Sequence, residues 1–311
     1  MNYTFSEITF PSADGIHTIY AEIYAPKNRE PKGVVQLCHG MRDYTGRYRA
    51  LAEYLTKEGY VFAGHHHLGH GKSAEDEADL GYFAERDGVL LLLKDIHSMN
   101  KYLRGVYPTL PLWLLGHSMG SFLARLYTER HPHSIQGLIL QGTAGKNYLL
   151  PFGKTVAAIG KLFHGGRYRS AFVAGLTVMG YNSHFPKSEG SRAWLTRDVD
   201  MASLRDQDPY TNFTFTLSAY SDLFALCGAA NSQSWFRDFP KELPTLIISG
   251  EEDPVGAYGK GPGYVYKQLL LSGSSSVTLK LYPECRHELF NETNREEIFA
   301  YITEWIKSNT K

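Results

Sequence analysis

The sequence lacks the features that mark nucleic-acid-binding and membrane-spanning proteins. Lys plus Arg and Asp plus Glu each number 32 among 311 residues, so no net positive charge is available to attract a polyanion or an anionic membrane. No apolar run is long enough to cross a bilayer. The first residues contain neither the basic nor the apolar region of a signal peptide. We therefore expect no nucleic-acid partner, no stable membrane insertion and a cytoplasmic location.

Cysteine is scarce as well. The three cysteines, Cys38, Cys227 and Cys285, lie far apart in the sequence, are odd in number and form no C-x-x-C motif. This pattern excludes a disulfide framework and a zinc site of the usual cysteine spacing, and it is typical of proteins from a reducing compartment. We expect neither a disulfide nor a bound metal.

Short apolar runs alternate with segments of helical periodicity over most of the chain. Strands are predicted at 5–10, 17–24, 34–38, 60–63, 112–115, 137–141, 245–249 and 277–281. Helices are predicted at 46–58, 88–104, directly after residue 118, and at 260–272 and 293–307. This alternation predicts an α/β fold, with a mostly parallel central sheet that is flanked by helices on both faces. The first two strands are expected to be antiparallel at one edge.

The alternation stops in the middle of the chain. Residues 143–240 contain helical, aromatic-rich segments and no clear strand, so we expect a helical cap inserted between two core parts, 1–142 and 241–311. The insertion follows the end of a strand, at the edge where open α/β sheets bind ligands. Its apolar segments, 149–152, 156–159, 162–163 and 171–179, are expected to roof a pocket for an apolar ligand, and contact with lipid stays open.

Residues 116–120, G-H-S-M-G, fit the pattern G-x-S-x-G between a predicted strand and a predicted helix. In this context the turn holds the serine in a strained conformation, and only small residues fit two positions before and after it. The hydroxyl then stands at the N-terminus of a helix, where backbone N–H groups can stabilise a developing oxyanion. We therefore predict that Ser118 is a nucleophile.

A serine nucleophile needs a base, and the base needs an acid that orients it. In a fold of this kind the acid and then the base follow the serine along the chain. Asp253 follows the strand at 245–249, and His287 follows the strand at 277–281, so both lie at the same sheet edge as Ser118. We predict Asp253 as the acid and His287 as the base. The rival acids are Glu251, Glu252 and Asp222.

The oxyanion site is expected to consist of two backbone N–H groups. One belongs to Met119, directly after the nucleophile, and the other to Met41, in the loop after an early strand. A further stretch, 65–73, is rich in histidine and suggests a metal site. No carboxylate or cysteine joins it at a ligand spacing, so we interpret it as a structural loop beside the active-site edge.

Three motifs in combination resemble a known family. They are H-G-M followed by T-G-R-Y within 39–48, H-L-G-H-G-K-S at 67–73 and G-H-S-M-G at 116–120. They are similar to the monoacylglycerol lipase and lysophospholipase branch of the α/β-hydrolases, which is often classed with serine aminopeptidase-like hydrolases. The resemblance covers nearly the whole chain, is weakest in 143–240, and implies a lid and no cofactor. That family commonly has Asp where this chain has His66. If that Asp supports the oxyanion loop in the family, the loop must be supported differently in this chain.

The expected function is a serine carboxylic-ester hydrolase that acts through an acyl-enzyme on esters such as monoacylglycerols or lysophospholipids. The expected partner is the small-molecule ester, and the oligomeric state stays open. One alternative is a peptidase or amidase, whose substrate amine would need an anionic pocket. The acidic residues available for it in the cap are Glu189, Asp198, Asp200, Asp206 and Asp208. Another is a non-catalytic, ligand-binding relative. Epoxide hydrolases and dehalogenases are disfavoured because they have Asp at the nucleophile position.

Overall fold

The strand that leads into the G-H-S-M-G motif lies in the middle of an eight-stranded sheet. A computed structural model of the chain describes residues 3–147 and 150–310. The strands are β1 (Tyr3–Pro11), β2 (Thr18–Pro26), β3 (Gly33–Cys38), β4 (Tyr60–His65), β5 (Leu112–His117), β6 (Gly137–Gln141), β7 (Thr245–Gly250) and β8 (Val277–Tyr282). Their order is β1-β2-β4-β3-β5-β6-β7-β8. The pairs β1–β2 and β2–β4 are antiparallel and the others are parallel, which confirms the predicted fold class.

Helices cover both faces of this sheet. In the core they are α1 (Arg49–Glu58), α2 (Gly88–Val106), α3 (Met119–Arg130), α9 (Lys260–Leu271) and α10 (Arg295–Ser308). Side chains alternate along β5, so that Leu112 and Leu114 belong to the hydrophobic cluster that includes α2, α3 and α9, whereas Trp113 and Leu115 belong to the one that includes α1 and α10. Because both faces of the central strands are buried, those strands need nearly continuous apolar runs, which is the pattern that made them predictable.

The described part of the segment expected to form a cap contains five α-helices. They are α4 (Leu150–His164), α5 (Ala171–Thr177), α6 (Val199–Gln207), α7 (Leu217–Ala230) and α8 (Gln233–Asp238). The side chains of Ser170, Asp198, Thr216 and Ser232 accept N–H hydrogen bonds at the starts of α5 to α8, which satisfies backbone donors that a helix leaves unpaired. Within residues 3–147 and 150–310, no helix combines the length and the apolar character needed to cross a membrane.

Candidate active site

Ser118 lies at the turn between β5 and α3. Its backbone has a φ of 51° and a ψ of −119°, a conformation that is strained for a residue with a side chain. The two glycines of the motif permit this turn, because a Cβ on Gly116 would lie 2.5 Å from the carbonyl oxygen of Gly120. A Cβ on Gly120 would lie 2.0 Å from the carbonyl oxygen of Cys38. The turn therefore presents the Ser118 side chain at the carboxyl edge of the sheet.

Two hydrogen bonds link the three side chains that the sequence singled out. The Oγ atom of Ser118 lies 2.9 Å from Nε2 of His287, and Nδ1 of His287 lies 3.0 Å from Oδ2 of Asp253. Asp253 is fully buried and also accepts hydrogen bonds from Ser249 Oγ and the Val255 N–H. The arrangement can take the proton from the Ser118 hydroxyl and stabilise the resulting imidazolium.

The rival acids lie elsewhere. Glu251 is exposed, and the Glu252 carboxylate lies 3.8 Å from Nε of Arg286 rather than beside His287. Asp222 belongs to α7, where it accepts the backbone N–H of Val89 in the first turn of α2. Burial raises the pKa of Asp222 to about 6.

The loop that carries Met41 is held by a buried carboxylate. Asp43 accepts hydrogen bonds from the Gly40 N–H (3.3 Å), the Tyr44 N–H (2.9 Å) and the Tyr48 hydroxyl (2.6 Å). Met41 and Met119 line the same cavity as Ser118 and His287. The Asp43 bonds therefore hold the loop at Gly40 and at Tyr44, on either side of the segment that contains Met41.

The histidines of 65–70 form a buried cluster beneath that loop. Nε2 of His39 accepts the His67 N–H at 2.9 Å, so its Nδ1 carries the proton and donates to the carbonyl of Gly40. Nδ1 of His66 accepts the Lys72 N–H at 2.9 Å, so this histidine braces the following loop. No group of three or more His, Cys, Asp or Glu side chains among the described residues has an arrangement suited to a metal ion.

The cluster is neutral near pH 7. Burial lowers the pKa of His65 to about 3 and that of His70 to about 4. His117, beside the nucleophile, has its pKa lowered to about 4 by burial and by the nearby His287. Neutral imidazoles can act as both donor and acceptor, which suits their place in a hydrogen-bonded loop.

A cavity of about 320 Å³ lies over Ser118 and His287. Its walls are mainly apolar and come mostly from the segment 143–240 and from α3; they include Phe122, Leu150, Phe152, Leu176, Val178, Met179, Tyr181, Trp194, Leu223 and Phe224. Several of these belong to segments expected to roof a pocket, whereas Leu149 of the same segments lies outside the described residues. Trp194 and Tyr181 were not anticipated, since they belong to no periodic apolar segment.

A second cavity of about 530 Å³ adjoins the first. It shares Phe122, Leu150, Tyr181 and Val255 with the first cavity and continues toward Lys260 and Tyr264. The space over Ser118 therefore extends from beneath the segment 143–240 toward α9.

The chain is similar to known lipases and esterases. A family model described as "Serine aminopeptidase, S33" matches residues 29–294. A monoacylglycerol lipase from Mycolicibacterium smegmatis is 26% identical over 314 residues, covering 98% of each chain. The human monoglyceride lipase is 33% identical over 132 residues, which are 42% of this chain and 40% of that protein. A crystal structure of a thermostable carboxyl esterase from Bacillus coagulans in complex with glycerol has a TM-score of 0.91 and 30% identity, covering 98% of each chain.

Proposed function

The chain belongs to the serine aminopeptidase S33 family of α/β-hydrolases, and on that basis we propose that it hydrolyses acyl esters such as monoacylglycerols or lysophospholipids. It is an enzyme of the serine hydrolase class, similar to monoacylglycerol lipases and carboxylesterases. The observation that carries the proposal is the pair of hydrogen bonds that joins Ser118 to His287 and His287 to Asp253, at the floor of an apolar cavity.

In the proposed reaction, Ser118 Oγ attacks the ester carbonyl while His287 Nε2 takes its proton. Asp253 holds the imidazole in the required tautomer and stabilises its positive charge. The N–H groups of Met41 and Met119 bind the oxyanion, and His287 then gives the proton to the leaving alcohol. Water repeats these steps on the acyl-enzyme and releases the carboxylic acid.

The cavity favours an apolar acyl group. A volume of about 320 Å³ lies at the lower end of the range for small-molecule sites, about 300–1,000 Å³, and its lining is mainly apolar. We propose short- to medium-chain acyl groups as substrates. Hydrolysis of p-nitrophenyl esters from acetate to palmitate should accelerate until the cavity is filled and then decline. A bulky side chain in place of Leu176, as in Leu176→Trp, should move the optimum to shorter chains.

The peptidase alternative needs a carboxylate near the substrate's amine. Instead, Glu189 pairs with Arg286, Asp206 with Arg192, and Asp198 caps α6 and pairs with Arg295. Among the described residues that line the cavity over Ser118, none is a carboxylate. An ester should therefore be hydrolysed at a far higher kcat/KM than the corresponding aminoacyl anilide.

The assignment of the nucleophile is tested with a fluorophosphonate probe and a p-nitrophenyl butyrate assay. Ser118→Ala should abolish labelling and lower turnover by more than about 10³-fold. Ser234→Ala, at an exposed serine of α8, should change neither and serves as the control. Retention of labelling and turnover in Ser118→Ala would show that the proposed function is wrong, and absence of both labelling and ester turnover in the wild-type protein would favour a non-catalytic relative.

A further inference from the structure

Four charged side chains lie buried together beneath the candidate active site. Two are carboxylates, Asp43 and Glu288, and two are guanidiniums, Arg47 and Arg205, and the most exposed of the four retains 9% of its side-chain surface. They come from three different parts of the chain. Asp43 and Arg47 follow the loop that carries Met41, Glu288 follows His287 directly, and Arg205 belongs to α6 in the cap segment.

Arg205 contacts two of these parts at once. Its Nη1 forms an ion pair with Oε1 of Glu288. Its Nη2 donates to the carbonyl oxygen of Arg42 at 3.1 Å and reaches that of Met41 at 3.4 Å. One guanidinium therefore joins the residue after the proposed base to the backbone of the proposed oxyanion donor. A planar fork of fixed donors suits this task, because both groups are held in one geometry.

Glu288 has a full set of partners. It accepts hydrogen bonds from Arg47 Nη2 at 2.6 Å and from Asn291 Nδ2 at 2.8 Å, and its own N–H donates to the carbonyl of Leu195 at 2.6 Å. Nη1 of Arg47 also pairs with Oδ1 of Asp43 at 3.0 Å, and the Asp43 carboxylate accepts the Gly40 N–H. The contacts thus form a second route from the base to the oxyanion loop, parallel to the one through Arg205.

The cluster retains its charges. Burial alone would raise the pKa of Glu288, but Arg47 and Arg205 lower it well below its ordinary value. Buried ion pairs of this kind contribute little net stability, since the loss of hydration offsets most of their attraction. Removing one partner is costly, however, because it leaves an unpaired charge in the interior. Stability therefore does not explain why the cluster lies between two parts of the proposed site.

We infer that Arg205 is a positioning residue, which holds the Met41 backbone and the His287–Glu288 segment in the relative placement that the reaction needs. The inference rests on the proposed function. It also gives the cap segment a role beyond roofing the cavity, because the proposed oxyanion donor is oriented by a side chain from α6. Without Arg205, the carbonyls of Met41 and Arg42 lose their shared donor, so the peptides that follow Met41 can shift and displace the Met41 N–H from the position of the oxyanion.

The test compares Arg205→Met with Arg197→Met. Arg197 belongs to the same cap segment and also anchors it to the loop after His287, through Glu292 at 2.9 Å, but it makes no contact with residues 41–42. The measurements are kcat and KM for p-nitrophenyl butyrate, the melting temperature, and the Ki of an alkyl trifluoromethyl ketone. Ser118 Oγ adds to the ketone carbonyl as its proton passes to His287, so the bound hemiketal carries an oxyanion.

We expect Arg205→Met to lower kcat by about 10- to 100-fold, with KM changed less than about 3-fold, and to weaken the ketone by the same factor as kcat. Arg205→Lys should recover part of both, because it restores the charge but not the fork. Arg197→Met should leave kcat and the Ki of the ketone within about 3-fold of the wild type. An equal loss in Arg197→Met, or a change in KM alone, would overturn the inference.

A double variant separates positioning from charge burial. Arg205→Met leaves the Glu288 carboxylate without its second guanidinium. In the double variant Arg205→Met with Glu288→Gln, a neutral amide replaces this carboxylate, so the melting temperature should recover relative to Arg205→Met. The affinity for the ketone should not recover, because the carbonyls of residues 41 and 42 still lack their donor. Recovery of both would assign the cluster a structural role only. Each of these results leaves the proposed ester hydrolysis in place, whereas activity in Ser118→Ala would remove it.

Discussion

The close approach of α3 to the end of β3 gives a sharp test of the nucleophile turn. A Cβ on Gly120 would lie 2.0 Å from the carbonyl oxygen of Cys38 and 2.5 Å from that of His39, and both are backbone atoms that cannot rotate away. Ordinary contact begins at 3.4 Å, so Gly120→Ala must push the first turn of α3 away from β3 by more than about 1 Å.

This displacement has two expected consequences. Overpacking in a well-packed core costs about 1–3 kcal/mol, and this contact, formed by backbone, belongs at the upper end. We therefore expect the melting temperature of Gly120→Ala to fall by about 6 °C, at about 2 °C per kcal/mol for a chain of this size. Ser118 and the N–H of Met119 move with the turn, and a misplacement of about 1 Å lowers kcat by about 100-fold.

Gly105→Ala provides the matched control. Gly105 lies within α2, as Gly120 lies within α3, but a Cβ there meets no atom within 4 Å. The same substitution should therefore stabilise the protein by up to about 1 kcal/mol, through helix propensity alone, and leave kcat unchanged. Calorimetry and the p-nitrophenyl butyrate assay measure both variants. If Gly120→Ala has the melting temperature and the kcat of the wild type, then the turn is not tightly packed, and the reason given for the second glycine of the motif is wrong.

Three further predictions concern acid stability, the orienting acid and the cap surface. Burial lowers the pKa of His65 to about 3 and that of His70 to about 4, whereas in the unfolded chain both imidazoles bind a proton near pH 6.5. The free energy of unfolding is therefore highest above pH 6.5 and falls as the pH drops toward the pKa values of the folded state. Urea unfolding should show a loss of about 2 kcal/mol for each imidazole between pH 7.5 and pH 5, and a double His→Gln variant with an unchanged pH slope would contradict this. Asp253→Asn should lower kcat by about 10³- to 10⁴-fold with little change in KM, because the amide favours the wrong imidazole tautomer; a loss under 10-fold would speak against its proposed role. Leu162 and Phe163 are 81% and 75% exposed on α4, so replacing both with Glu should weaken binding to phospholipid vesicles and slow hydrolysis of emulsified monoacylglycerol, but not of soluble p-nitrophenyl butyrate. Equal loss on both substrates would instead indicate damage to the site.

The proposed catalytic residues could be located from the sequence because their positions follow from local patterns. Ser118 lies in a motif whose spacing reflects a turn, and Asp253 and His287 each follow a strand of the same parallel sheet. The carboxyl ends of such strands meet at one edge, so the approximate meeting of these residues follows from the order of the strands. The distances of 2.9 Å and 3.0 Å do not, since they depend on loop conformations that no local pattern specifies.

The sequence by itself determined the alternation of strands and helices, its interruption between β6 and β7, and the turn at Ser118, because each depends on neighbours within a few residues. Only the tertiary structure decided how the insertion meets the core. Arg205 and Glu288 are 83 positions apart, and neither belongs to a motif, so their pairing arises when α6 packs over the loop after His287. Trp194 reaches the cavity for the same reason. Contacts of this kind depend on how elements pack in three dimensions, and hydrophobic periodicity carries no information about which partner a buried charge will find.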